Sequence, residues 1–144
     1  NGSLYELIKN YNINNKLWID GGHNEDASIQ LSKSVGFMNK KNLHIIFGCL
    51  EHKDHRSFLR NLVAVASSLS IVEIENQPSS LIKPVAVSSA KEVGWKKIYS
   101  ACNIRDAIKN ICSQDGGLTS QVSILICGSL YLAGQALKEN GVEI

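Results

Sequence analysis

The sequence predicts an α/β domain built on a largely parallel sheet with helices on both faces, and three observations carry that expectation. Short, strongly apolar runs such as Leu43–Cys49 and Val122–Cys127 alternate with amphipathic stretches. Those runs lack the alternation of a strand with one wet face, so they suit strands covered on both sides. Glycines and polar residues gather where the runs end, which is the edge where such sheets bind ligands. At 144 residues, 44% hydrophobic and 19% charged, the chain fits one globular domain.

The elements follow in order. After an irregular start, Leu17–Asp20 reads as a buried strand. Asn24–Val35 is a helix, with Ala27, Leu31 and Val35 on one face. Leu43–Cys49 is the second strand. Asp54 to about Ser67 is the second helix, carried by Phe58, Leu62 and Val65. Leu69–Ile74 is the third strand. Pro78, Ser79, Ser80 and Pro84 mark Gln77–Pro84 as a loop. Val85–Val87 suggests a short strand, and Ala90–Val93 a short helix or turn before Gly94. Lys97–Tyr99 is the next strand. Ile104–Cys112 is a helix with Ile104, Ala107, Ile108 and Ile111 on its apolar face. Val122–Cys127 is strongly apolar strand, and Leu130–Glu139 is a helix closed by Gly141. Val142–Ile144 could add a last strand.

A formal net charge of +2 leaves no basic arm for nucleic acid and no polybasic membrane patch. No apolar run approaches the ~18 residues of a spanning helix, and no signal-peptide pattern is present. Cys49, Cys102, Cys112 and Cys127 lack the dense spacing of a disulfide scaffold. Cys49, Cys112 and Cys127 sit in apolar surroundings, as small buried hydrophobes do. A reducing, cytoplasmic setting is expected. The chain begins at Asn1, so an excised domain is expected.

The octet Leu17-Trp18-Ile19-Asp20-Gly21-Gly22-His23-Asn24 is the most informative stretch. A strand delivers a carboxylate, two glycines, an imidazole and an amide to its C-terminal end, and a helix starts at once. Asp, Gly and Asn are also ordinary turn and cap residues. His23 is not, and the apolar strand gives Asp20 a fixed position. Two further strand ends match it: Gly48-Cys49-Leu50-Glu51-His52-Lys53-Asp54 and Gly128-Ser129-Leu130-Tyr131-Leu132-Ala133-Gly134. In a parallel sheet all three share one edge.

Two motifs are missing. No G-x-x-x-x-G-K-[ST] phosphate loop occurs, and no G-x-G-x-x-G follows the first strand. Glu25 and Asp26 suit the start of a helix but repel a pyrophosphate docked there. Asp20 suits ribose hydroxyls better. Cys49, His52 and His55 offer zinc-type ligands without a placed fourth, so His55 reads as a solvated residue of the early helix. Lys53 and Asp54 read mainly as a local charge pair or helix cap. Ser129 lacks the G-x-S-x-G elbow of an acyl-enzyme nucleophile, while Gly128 and Ser129 could hold a carboxylate. Tyr131, Leu132 and Leu137 read as core.

With these residues in view, the chain resembles the C-terminal domain of bifunctional folylpolyglutamate synthase/dihydrofolate synthase, of the Mur ligase superfamily. Asp20–Asn24 resembles that family's Asp-Gly-Ala/Gly-His-Asn. Residues 48–54 resemble Gly-x-Leu-x-Asp-Lys-Asp, and residues 128–134 match Gly-Ser-Leu-Tyr-Leu-Ala-Gly. The resemblance implies one Mur-ligase-type C-terminal domain over 1–144, a Rossmann-like three-layer fold. It implies an ATP-dependent ligase that adds L-glutamate to folates, to dihydropteroate, or to both, through an acyl phosphate.

The resemblance also assigns residues. His23 is the catalytic residue and, with Gly128 and Ser129, meets glutamate. Asp20, Gly21 and Asn24 meet ATP. The domain itself holds no metal; Mg2+ and the phosphate loop belong to a central domain absent from this stretch. The isolated domain is therefore expected to be inactive, with its own central domain as its partner. Two departures stand out: His52 replaces an Asp, and Glu25 replaces a Pro. The family's upstream Pro-Gly-Arg has no match. The competing readings are a Mur-type amino-acid ligase of cell-wall synthesis and a non-catalytic nucleotide-binding module.

Overall fold

A computed structural model describes residues 3–113 and 121–141. Its centre is a five-stranded, all-parallel sheet in the order β1-β5-β2-β3-β4. The strands are β1 (Lys16–Ile19), β2 (Leu43–Phe47), β3 (Ser68–Ile71), β4 (Ile98–Ser100) and β5 (Ser123–Cys127). The helices are α1 (Leu4–Tyr11), α2 (Glu25–Val35), α3 (His55–Leu62), α4 (Lys83–Glu92), α5 (Ile104–Ser113) and α6 (Leu130–Glu139).

Two hydrophobic layers hold the sheet. On one face Leu31, Phe58, Leu62 and Ala90 of α2, α3 and α4 pack with Ile45, Phe47, Leu69 and Leu125. On the other, Leu4, Ile8, Ile108 and Ala136 of α1, α5 and α6 pack with Ile46, Ile124 and Ile126. β2, β3 and β5 are buried throughout, which explains why β2 and β5 are mostly apolar; β3 also buries Ser68 and Ser70. Each fully buried Leu or Ile contributes about 1.5–3 kcal/mol relative to exposure. The three-layer fold is the expected one.

The sheet order also fixes where a ligand fits. β5 lies between β1 and β2, and its helix α6 packs on the opposite face from α2 and α3. The chain therefore leaves neighbouring strands toward opposite faces, and crevices open at their C-terminal ends.

Five expectations need correction. The irregular start is helix α1: Ser3 caps it by accepting from the Glu6 N–H, and Leu4 and Ile8 are buried one turn apart. β1 is an edge strand rather than a buried one; its residues alternate between half-buried and exposed, and Trp18 is 43% exposed. The second helix stops at Leu62, and Val63–Val65 form a turn with the Val65 N–H on the Leu62 carbonyl. Residues 85–87 are helix, not strand. Pro84 sits in the first turn of α4, where its missing N–H costs nothing, and Ala86, Ser89 and Ala90 form the buried stripe. The short helix or turn expected at Ala90–Val93 is present as the end of that same helix. His55 is half-buried against α4 rather than solvated. The strand suggested at 142–144 lies outside the described residues.

Candidate functional site

Each of the three strand ends is shaped by close backbone approach. Asp20 prolongs the β1–β5 ladder, its N–H donating to the Ile126 carbonyl at 2.9 Å. Its carboxylate turns back, and Oδ1 accepts the Gly22 N–H at 2.7 Å. This leaves the other oxygen for a ligand. Gly128 follows β5 with φ of +114°, and a Cβ there would stand 2.5 Å from the Gly48 carbonyl oxygen. Only glycine permits that packing of the β5 and β2 ends. Gly21 lies against Leu130, the first residue of α6, so the first and third motifs touch.

Beyond the glycines the loops close around a cavity of about 300 Å³. Its walls include His23, His52, Lys53, Gly128, Ser129 and Tyr131. The side chains come from all three strand ends. His23 Nδ1 is buried with no hydrogen-bond partner among the described residues. His23 as a whole is half-buried and lines the cavity, so its imidazole is in reach of a ligand. Ser129 caps α6, its Oγ accepting the Tyr131 N–H at 3.0 Å. Its hydroxyl proton stays available. The first turn of α6 holds no acidic residue, so it keeps its attraction for an anion. Lys53 forms no ion pair with a carboxylate among the described residues.

The expected ATP contacts are less gathered. Asp20 lies on the other side of β1's end and lines a separate hollow with Trp18, Leu31 and Phe37. Its charge helps push the buried Cys127 thiol upward, after burial itself. Gly21 bridges the two regions through Leu130. Asn24 is exposed, and its Oδ1 caps α2 by accepting the Ala27 N–H at 2.8 Å. Glu25 and Asp26 do occupy the first turn of α2.

The second motif separates the roles of its residues. Asp54 caps α3, accepting the Ser57 N–H at 3.1 Å, and hydrogen bonding from the Ser57 hydroxyl first and from that N–H second holds its carboxyl below the usual range. Lys53 instead reaches the cavity, a role that its sequence position beside Asp54 obscured. Tyr131 was expected in the core. It is 54% exposed and lines the cavity, while Leu132 is buried and Leu137 half-buried. Tyr131 follows the α6 cap directly, and that position was the available signal. Burial holds the Cys49 thiol up at about 12 and the Cys112 thiol at about 11, so both act as apolar fillers. Among the described residues, no group of His, Cys, Asp and Glu is placed to hold a metal ion.

Comparison with known proteins bears on this edge. A family model described as dihydrofolate synthetase, C-terminal domain, matches residues 3–139. The fold is similar to that of Mycobacterium tuberculosis folylpolyglutamate synthase, solved with ADP and AMPPCP. The TM-score is 0.77 at 25% identity, over 88% of this chain and 30% of that one. E. coli FolC, in complex with DHPP and ADP, superposes with a TM-score of 0.66 at 17% identity, over 83% of this chain and 28% of its own. The bifunctional folylpolyglutamate synthase/dihydrofolate synthase of Yersinia pestis, with AMPPNP and a manganese ion, gives 0.65 at 17% over 85% and 28%. The last two likenesses show the fold alone. The chain thus spans less than a third of the length of these solved structures. No curated protein sequence matches it. Among the described residues no helix is long and apolar enough to cross a membrane.

Proposed function

The chain belongs to the family of dihydrofolate synthetase C-terminal domains, and on that premise we propose that it is one part of an ATP-dependent ligase of folate metabolism. The parent enzyme joins L-glutamate to dihydropteroate, to folates, or to both. The observation that carries this reading is the convergence of His23, Lys53 and Ser129 on one cavity at the sheet's C-terminal edge. Residues 1–144 form the C-terminal domain, and a central domain elsewhere in the parent closes the cleft.

The roles follow from chemistry. Glutamate brings two carboxylates and an amine. The Lys53 ammonium and the acid-free start of α6 suit the carboxylates, with the Ser129 hydroxyl donating and Gly128 letting the ligand come near. His23 stands in the cavity wall where the amine would attack, and its imidazole can orient that amine or stabilise developing charge. Asp20 accepts from ribose with the oxygen not held by Gly22, and Gly21 lets the nucleotide approach. Asn24 supports the site by fixing the start of α2. ATP, when bound, supplies the phosphoryl group that activates the substrate carboxylate as an acyl phosphate. Mg2+ is assigned, with the phosphate loop, to the central domain, as the family resemblance implies. The four free cysteines suit the cytoplasm, where ATP and glutamate are abundant.

Steady-state kinetics of the full-length parent test the reading. His23→Ala should lower kcat by roughly 10²–10³, the scale of losing one charge-stabilising donor, and should change KM for ATP little. The 144-residue chain alone should show no turnover with ATP, glutamate and a pteroate or folate. Turnover by that chain would overturn the division of labour. A parent that ignores folates but couples amino acids to a cell-wall precursor would overturn the substrate.

A further inference from the structure

The opposite edge of the sheet carries a second concavity. The N-terminal ends of β2, β3 and β4 enclose a cleft of about 460 Å³, whose lining includes Lys40, Lys41, Ala66, Trp95, Lys96 and Lys97. Lys40 and Lys41 stand in the short 3-10 turn before β2, and Lys96 and Lys97 directly precede β4. Adjacent strands lie about 4.8 Å apart, so two lysine pairs flank a gap of about 10 Å.

The charge there is uncompensated. No carboxylate lines the cleft, and no described residue forms an ion pair with any of the four lysines. The chain as a whole is nearly balanced, and without these four it would be net negative. The cationic character is therefore local. Between the lysines the floor is apolar: Val63, Ala66 and Trp95, which is 4% exposed. The Trp95 indole N–H is already committed to the Leu59 carbonyl at 3.0 Å. Recognition in this cleft rests on ammonium charge.

We propose that this cleft binds a compact oligophosphate, either free or as the tail of a nucleotide. Four like charges at this spacing repel one another, and a multiply charged anion between them relieves that repulsion. Lysine without arginine favours phosphoryl groups met as point charges over carboxylates gripped by a planar fork. A triphosphate spans the gap between the two lysine pairs; a single phosphate meets one pair. The site lies at the far edge from His23, so it is separate from the proposed ligase cleft.

Calorimetric titration of the 144-residue chain tests this, with inorganic tripolyphosphate and ATP as separate probes. Trp95 emission in a Trp18→Phe background gives a local second signal. Both probes should bind at low salt, and raised salt should weaken them. Lys41→Ala with Lys97→Ala should reduce tripolyphosphate affinity about tenfold, the combined loss of two exposed ion pairs. Lys40→Gln with Lys96→Gln should act similarly and serves as the independent pair. Asp20→Ala, at the other edge, should leave tripolyphosphate binding unchanged. The proposal fails if tripolyphosphate shows no saturable binding, or if neither lysine pair alters it. It also fails if a short single-stranded oligonucleotide binds through the same lysines far more tightly than tripolyphosphate.

Discussion

The starts of α2 and α6 stand side by side on one sheet edge and are built alike, yet they favour opposite ligands. Asn24 caps α2 through the Ala27 N–H, and Ser129 caps α6 through the Tyr131 N–H. Both follow a glycine-bearing strand end. The α2 start carries Glu25 and Asp26, while the first turn of α6 carries no acid. One macrodipole is already answered by carboxylates, and the other is left for a ligand's. Position on a ligand-binding edge is thus not enough to make an anion site. The residues of the first turn decide which helix start receives charge and which serves as scaffold.

The largest expected effect tests the glycines that let these strand ends pack closely. Gly128→Ala should destabilise the chain by roughly 2–5 kcal/mol, combining left-handed strain with overpacking. Its φ is +114°, and the new Cβ would meet the Gly48 carbonyl at 2.5 Å and the Phe47 ring at 2.7 Å. Gly21→Ala meets only the end of the Leu130 side chain, which is 67% exposed and can swing aside. It should cost about 1 kcal/mol or less. Urea unfolding of both variants measures the gap. Equal losses would show that the close approach of β5 to β2 is not what demands glycine.

Next is Asp20. In the parent enzyme, Asp20→Ala should weaken ATP binding by about 1.5–3 kcal/mol, the value of a hydrogen bond to a charged group. Asp20→Asn keeps an oxygen for the Gly22 N–H, so it should retain stability and lose part of the ATP affinity. Nucleotide titration beside thermal melts separates these. A collapse in stability with unchanged ATP affinity per folded molecule would make Asp20 part of the scaffold only.

Where the sequence was legible, one physical signal dominated. β2 and β5 are buried on both faces, and their strongly apolar runs said so. Helix α6 was readable from Leu130 to Glu139 because apolar period and terminal glycine agreed. The errors arose where two signals conflicted. Val85 and Val87 favour strand locally, but a buried stripe of Ala86, Ser89 and Ala90 under Pro84 makes helix. Trp18 looked buried by type, yet strand order places β1 at the edge, and strand order is not written in local periodicity. At the candidate site, His23 and Ser129, singled out by their motifs, line one cavity. Lys53 and Tyr131 line the same cavity, which their sequence positions did not reveal because the other two loops are remote in sequence.

A smaller effect distinguishes the caps directly. Asn24→Ala and Ser129→Ala each remove one cap bond and should each cost about 1 kcal/mol of stability. Only Ser129→Ala should also raise KM for glutamate in the parent enzyme, with KM for ATP nearly unchanged. Chemical denaturation and kinetics with glutamate and ATP varied separately make the comparison. A glutamate defect in Asn24→Ala of equal size would erase the distinction between the two helix starts.

The smallest expected effect extends the comparison to the third helix start on this edge. α3 begins with the Asp54 cap and His55. His55 Nε2 pairs with Ser89 Oγ at 2.7 Å, and its Nδ1 is buried with no hydrogen-bond partner among the described residues. Burial holds its pKa below the ordinary histidine value, with neighbouring Arg56 adding to the fall; the Lys53 carbonyl and Asp54 oppose it. A cation at a helix N-terminus also meets the wrong end of the dipole. The sign follows from linkage. The unfolded chain takes up a proton near pH ~6.5 while the folded chain resists it, so His55's stabilising share is complete above that pH. It is lost as the pH falls through the unfolded value toward the lowered folded one. Urea midpoints measured between about pH 7.5 and 5 should therefore fall for the wild-type chain. His55→Gln, which keeps a polar group beside Ser89 and cannot take a proton, should fall less over the same range. The difference between the two curves isolates His55 from His23, His44 and His52. Parallel curves would mean that the α3 start accepts the charge, and that helix starts on this edge do not differ in the way α2 and α6 imply.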